Sequence, residues 1–461
     1  MKNLFFFVLF VCCQIAFAQP PPQKTIPPKT RILFVLDGSG SMNAKWDGGL
    51  RIEVAKKVLT RLLDSMKINK NVEFALRAYG HQFDKKYQNC KDSKLEIGFK
   101  AGNHAEVIKK LHSIQPKGTT PIAYSLEQAT KDFPENDPDY RNVLILITDG
   151  LESCDGDPCA ISMGLQKKGI FLRPFIIGLG VGKDFGKAFD CIGKPFDAKS
   201  STEFSNLLSG IVTQVVKKTT ITLELLDIKD KPMETNVNVT FYNNVTGKPI
   251  YDIVHYRNEK NLTDTIEVDA LISYDLIVNT IPQVEKKNIA FVGGKHNTIS
   301  VKSPQGTLQF AMKNPNEYPN LLGIIRENNK NQTLNLQAIT AKEKYLVGKY
   351  DIEVLTLPRT YFKNVEIKQS ESTILEIATA GTLGLRNLYN GFCSLYLFNE
   401  STGEQSWIYD LDIKGREMNL AIQPNTYKLV FRATDAKGSI YTIVKKFTIE
   451  AGKSFTIDIL K

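Results

Sequence analysis

The sequence predicts an α/β protein whose first part is a doubly wound, mostly parallel sheet and whose remainder is three small all-β sandwich modules. Three observations carry that expectation. Apolar strands ending in Asp-Gly (Ile32–Leu36 before Asp37-Gly38, Val143–Ile147 before Thr148-Asp149-Gly150) alternate with stretches of helical periodicity. That alternation stops near Lys218, where short alternating strands with turn signals take over. A block built on Tyr-Asp then repeats. At 461 residues the chain is also too long for one core.

The N-terminus reads as an address. Lys2 precedes the apolar run Leu4–Val11, and Ala16-Phe17-Ala18 has the small-x-small pattern of a cleavage site. Residues 1–18 are therefore assigned to a signal peptide, and the mature protein is expected to be exported: periplasmic, cell-surface or secreted. Cys12-Cys13 lie inside this run, but Val11 stands where a lipoprotein signal wants a small residue. No other stretch reaches the ~20 apolar residues of a membrane span. Pro20-Pro21-Pro22 and Pro27-Pro28 make residues 19–30 a stiff linker.

Residues 31–217 form the α/β domain. After the first strand, Val54, Val58, Leu62 and Met66 make one helical stripe, with Lys56, Lys57 and Arg61 off it. Val72–Tyr79 and Lys94–Gly98 read as strands joined by a polar loop that holds Cys90. Helices around residues 104–113 and 121–132 lead to the second Asp-Gly strand. A strand at 172–179 and a helix around 204–216 close the alternation, which implies a sheet covered by helices on both faces.

Asp37-Gly38-Ser39-Gly40-Ser41 sets a carboxylate and two hydroxyls at alternating positions where a buried strand opens into a loop. The glycines let the loop curl so that the oxygens converge. Thr120, in Gly118-Thr119-Thr120-Pro121, and Asp149 bring matching oxygens. Ligands of open α/β sheets gather at the carboxyl ends of such strands, and an all-oxygen cluster suits a hard divalent cation. These motifs, in this order, resemble the von Willebrand factor A domain and its metal-ion-dependent adhesion site. The resemblance implies that Asp37, Ser39, Ser41, Thr120 and Asp149 hold Mg²⁺, or Mn²⁺ or Ca²⁺. It also implies mostly neutral ligation, with one position left open for the Asp or Glu carboxylate of a protein partner. The rim is expected from residues 43–49, 81–92 and 151–158, with Trp46 as a contact residue and Asp47 and Glu152 as charged ones.

Five cysteines remain after cleavage. In an oxidising compartment Cys90, Cys154, Cys159 and Cys191 are disulfide candidates, with Cys393 left over. Cys154 and Cys159 bracket a short loop, and a local bridge there would leave Cys90 with Cys191. Four cysteines allow three pairings, and spacing does not choose among them.

The repeat beyond Lys218 sets Tyr274-Asp275 to Thr280-Ile281-Pro282 against Tyr350-Asp351 to Thr356-Leu357-Pro358. Lys287-Asn288 and Lys363-Asn364 follow at matching distances, then Gly306-Thr307-Leu308 and Gly381-Thr382-Leu383. A looser third copy starts at Tyr427. Modules are expected at 218–304, 305–379 and 380–461, each the size of a small sandwich, resembling in pattern the Ig-like or carboxypeptidase-regulatory-like modules of exported bacterial proteins. They are expected to act as a stalk or presentation scaffold.

A net charge of +10 without a long basic run points to a solvated surface rather than a nucleic-acid groove. Gly178-Leu179-Gly180-Val181-Gly182-Lys183 lacks the spacing of a phosphate loop, and the five histidines are scattered. The expected function is that of an exported, non-enzymatic, cation-dependent protein-binding protein. An accessory factor of an envelope complex stands as an alternative, and a metal-dependent hydrolase is disfavoured because no base accompanies the hydroxyl ligands.

Overall fold

The computed structural model of the chain describes residues 29–134, 139–171, 176–181, 185, 189, 195–313, 318, 320–386, 390–413 and 415–459. The leader, nearly all of the Pro-rich segment and Cys191 lie outside them. Two compact units result, one of residues through Thr219 with Glu267–Leu271, the other of Thr220–Ile266 and Ile272 onward.

In the first unit the strands are β1 (Lys29–Asp37), β2 (Lys45–Trp46), β3 (Gly49–Leu50), β4 (Val72–Tyr79), β5 (Ser93–Ala101), β6 (Tyr140–Thr148), β7 (Ile170–Phe171), β8 (Ile176–Leu179) and β9 (Phe196–Ala198). The helices are α1 (Arg51–Met66), α2 (His104–Ser113), α3 (Ile122–Asp132), α4 (Pro158–Lys167) and α5 (Ser201–Val216). The main sheet runs β5-β4-β1-β6-β8-β9, with β7 also on β6. β1 pairs in parallel with β4 (Asp37 opposite Tyr79) and with β6 (Leu36 opposite Ile147), while β5 is antiparallel to β4.

β1 is buried from Thr30 to Asp37, as a central parallel strand covered on both faces must be. Ile32, Phe34 and Leu36 pack with residues of α1, α2 and α5, whereas Leu33 and Val35 pack with residues of α3 and α4. The helix stripe differs from expectation at one residue: Lys56 is 2% exposed. Its ammonium group reaches Glu53 at 2.9 Å, so its four-carbon stem is buried while the charge finds a partner one turn back.

Three sets of seven strands follow, β10 (Thr219–Leu226) to β16 (His296–Lys302), β17 (Gln305–Ala311) to β23 (Ser372–Glu376), and β24 (Gly381–Arg386) to β30 (Ser454–Asp458). In each set the first, fourth and seventh strands make a three-stranded sheet, and the second, third, fifth and sixth a four-stranded one. The first strand pairs in parallel with the seventh every time. The third set repeats this plan despite its looser sequence.

The repeated residues have identifiable jobs. Tyr274, Tyr350 and Tyr427 lie within the first three residues of the fifth strand of each set and are buried. The Tyr350 hydroxyl donates to the Leu346 carbonyl at 2.7 Å and that of Tyr427 to Gln423 at 2.5 Å, each four residues upstream, in the manner of a tyrosine corner. Asp275 and Asp351 accept from the backbone N–H of Asn288 (2.8 Å) and Asn364 (3.0 Å). Both asparagines are left-handed, with φ of 57° and 55°, beside a register shift in the pairing of fifth and sixth strands.

Thr280 and Thr356 each donate to the proline carbonyl two residues on, at 2.6 Å. Ile281 then packs against the core of the second set and its carbonyl accepts from Leu346 N at 2.7 Å. Leu357 packs against the core of the third set and its carbonyl accepts from Gln423 N at 2.7 Å. An apolar plug and a backbone hydrogen bond thus recur at each joint; the first joint adds Gln305 on Glu234 and Gln369 between Ile228 N and Asp227, and the second adds Gln423 on the Tyr318 hydroxyl at 3.2 Å. Tyr350→Phe should cost about 1–2 kcal/mol in denaturant unfolding of the full chain, because a buried carbonyl loses its donor. An unchanged midpoint would show that the corner contributes nothing.

Candidate metal centre

β1 delivers Asp37 to the crevice between β4 and β6, where the strand order reverses. The carboxylate is fully buried. Ser39 N donates to its Oδ1 at 2.7 Å and Thr148 Oγ1 to its Oδ2 at 2.6 Å. Ser39 Oγ lies 2.9 Å from Ser41 Oγ, and Ser41 Oγ donates to Asp149 Oδ1 at 2.8 Å. Four of the five expected residues are therefore linked, Ser39, Ser41 and Asp149 through their side-chain oxygens and Asp37 through the Ser39 N–H. Thr120 stands two residues beyond Gly118, which bridges Ser39 and accepts from Gly40 N at 3.0 Å. Its own N–H donates to Ser153 Oγ at 2.9 Å. Gly80 holds this crossing together: its φ is +64°, and a Cβ there would fall 2.3 Å from the Thr119 carbonyl and 3.0 Å from Ser39 N.

The donor set is all oxygen and only two of its groups are carboxylates. Among the described residues no trio of His, Cys, Asp or Glu is placed to hold a metal. Burial pushes the Asp37 carboxyl up to about 6, helped by the charge of Asp149 and opposed by the hydrogen bonds from Thr148 and Ser39. Burial, then the charge of Asp37, raises the Tyr79 hydroxyl well above its ordinary value.

Arg51 is a residue that motif reading missed. From the start of α1 its Nη1 donates to Asp149 Oδ2 at 2.9 Å, so a protein cation faces the second carboxylate. A single Arg after Gly48-Gly49-Leu50 looks like any helix-start surface residue. Thr148, the hydroxyl under Asp37, was visible in Ile147-Thr148-Asp149 but had no assigned role.

The rim decides between the pairings that the sequence leaves open. Cys154 is bonded to Cys90, not to Cys159, and Cys159 is itself disulfide-bonded. The bridge spans 64 residues and ties the 81–92 loop to the 151–158 loop, which local spacing along the chain could not reveal. Cys393 is free and buried. Asp92 organises the first of these loops by accepting from the N–H groups of Gln82 and Phe83, each at 3.0 Å.

The other rim candidates are already occupied. Asp47 accepts from Ser201 N at 2.5 Å, at the first residue of α5. Glu152 accepts from Ala123 N at 2.6 Å near the start of α3 and from Cys154 N at 2.8 Å. Both carboxylates thus satisfy orphan helix-end or loop donors. Trp46 is half-buried and packs against the first-unit core. No helix among the described residues is long and apolar enough to cross a membrane.

Two proteins of Bacillus subtilis (strain 168) are similar to this chain. YwmD, described as uncharacterized, is 31% identical over 182 residues, 39% of this chain and 80% of its own length. YwmC, described in the same words, is 28% identical over 191 residues, 41% of this chain and 82% of its own. Among solved structures, the pilus adhesin SpaC of Lactobacillus rhamnosus GG aligns over 93% of this chain and 83% of its own at 11% identity, with a TM-score of 0.36. The sequence signature of the von Willebrand factor type A domain matches residues 32–152, the span that carries Asp37, Ser39, Ser41, Thr120 and Asp149, and through it the chain belongs to that family.

Proposed function

We propose that the chain is an exported, non-enzymatic binding protein that engages a partner protein through a divalent cation, Mg²⁺ by preference. Asp37, Ser39, Ser41, Thr120 and Asp149 would hold the ion, and a partner's Asp or Glu carboxylate would complete its coordination. The observation that carries this reading is the hydrogen-bonded convergence of Asp37, Ser39, Ser41 and Asp149 at one strand end. Neutral hydroxyl donors leave much of the ion's charge uncompensated, which favours an anionic sixth ligand.

The surrounding charge supports the same partner chemistry. In the 81–92 loop the Asp84 and Asp92 carboxylates accept backbone N–H groups, while Lys85, Lys86 and Lys91 are exposed. An acidic partner would meet ammonium groups around the cation. The β modules would serve as the scaffold that presents the domain.

The test uses the mature chain as bait against its own envelope extract, in Mg²⁺ and in chelator, with Asp37→Ala alongside. A partner captured in Mg²⁺ alone by the wild type alone supports the reading. Equal capture in all three conditions removes the cation bridge.

A further inference from the structure

We propose that the outer face of the third module's four-stranded sheet is a binding site for an acidic polysaccharide, separate from the metal centre. The three modules share strand order, so each serves as a control for the others. The row across the sheet beside the buried tyrosine pairs Pro249 with Tyr242 and Tyr242 with Asp275 in the first module. In the second it pairs Thr333 with Arg326 and Arg326 with Asp351. In the third it reads Trp407, Tyr396, Lys428 and Lys446.

Lysine thus replaces the aspartate that ties down a left-handed asparagine in the other two copies. The register shift between fifth and sixth strands goes with it, and pairing is unbroken from Asn425 to Phe431. The result is a regular sheet face with rings on the second and third strands and cations on the fifth and sixth. Trp407 is 58% exposed and Phe392 64%. Lys428 Nζ stands 3.8 Å from the Phe398 ring centre, and Arg432 lies 5.5 Å from that of Phe392.

Carboxylates are also present at the margin, and they are engaged. Asp410 accepts from Ser394 Oγ at 2.5 Å and from Trp407 Nε1 at 3.0 Å, and Glu400 pairs with Lys446 at 2.5 Å. Lys428 reaches Gln405 Oε1 at 3.3 Å. None of the described ion pairs holds Lys428 or Arg432.

Exposed rings on a sheet face, Trp407 and Phe392 here, are matched by the C–H face of a sugar ring, which needs apolar contact without a cleft. Ammonium and guanidinium groups beside the rings suit the carboxylates that such a polymer carries at its edges. An acidic peptide would use the charges and leave the rings idle.

The test is equilibrium binding of the full chain, in chelator throughout, to polygalacturonate, neutral dextran, poly-L-glutamate and anionic phosphatidylglycerol vesicles. Polygalacturonate should bind most tightly. Trp407→Ala and Lys428→Asp, which restores the residue type of the other copies, should each weaken it about tenfold, with thermal unfolding unchanged. Asp37→Ala should bind it as the wild type does, so a failure of the metal reading leaves this one intact. Absence of polygalacturonate binding, equal binding of poly-L-glutamate or dextran, preference for vesicles, or wild-type affinity in both face variants would each overturn the proposal.

Discussion

Asp37→Asn is expected to weaken divalent-cation binding on the order of 100-fold or more, read by calorimetric titration of the full chain with Mg²⁺ and Mn²⁺. The wild type should show a pH signature that the variant lacks. The Asp37 carboxyl keeps its proton up to about pH 6 in the folded chain, against an ordinary value of 3.8. Between those values the folded state holds more protons than the unfolded one, so the carboxyl's contribution to stability falls as pH rises through that window.

Asparagine does not titrate there. The stability of the cation-free wild type relative to Asp37→Asn should therefore decline from about pH 4 to about pH 6 and then level off. A bound cation must displace the same proton. Wild-type affinity should climb up to about tenfold per pH unit below pH 6 and flatten above it, and saturating cation should erase the pH-dependent loss. A pH-independent affinity between 4 and 7 would show that Asp37 carries no proton for the ion to displace.

Gly80→Ala is expected to cost about 3 kcal/mol or more and to weaken cation binding as well. The added methyl meets backbone rather than a yielding side chain, at 2.3 Å from the Thr119 carbonyl. The left-handed φ of +64° adds its own penalty. Relief would shift the Thr119 carbonyl or the backbone at Ser39, and so disturb the Ser39–Gly118 crossing. Gly102→Ala is the matched control, since its φ is +69° but nothing lies within 4 Å of the added carbon. It should cost about 1 kcal/mol and leave cation affinity alone. Equal losses for the two variants would mean that conformation, and not the crossing over Ser39, sets the cost.

What the chain discloses in one dimension follows from how local each cause is. Strands ending in Asp-Gly, the serines two and four residues after Asp37, and the Tyr-Asp repeat are patterns within a few residues, and each forms an element where the pattern lies. The Cys90–Cys154 bridge depends on the meeting of two loops that follow β4 and β6, the strands on either side of β1, which no spacing encodes. Asp47 and Glu152 look like free surface charges until the starts of α5 and α3 arrive beside them. Arg51 and Lys56 mislead in the same way: Lys56 finds Glu53 only once the helix has turned, and Arg51 finds Asp149 only once β6 lies beside β1. The repeat itself was legible before its reason was: a hydroxyl bonded four residues upstream and an aspartate holding a left-handed asparagine are contacts, not letters.

The joints carried by Thr280-Ile281-Pro282 and Thr356-Leu357-Pro358 have a consequence for how such a chain can change. Ile281 and Leu357 offer the same plug, and Leu346 N and Gln423 N take up the same carbonyl. Removing residues 305–379 would offer Ile281 the socket that Leu357 now fills, while the contacts of Gln305 and Gln369 with the first set would go with the deleted segment. The plug and its carbonyl bond are therefore the part of the connection that both joints have in common. If the β sets act as the proposed scaffold, their number could change by duplication or deletion while that shared part of the joint is reused.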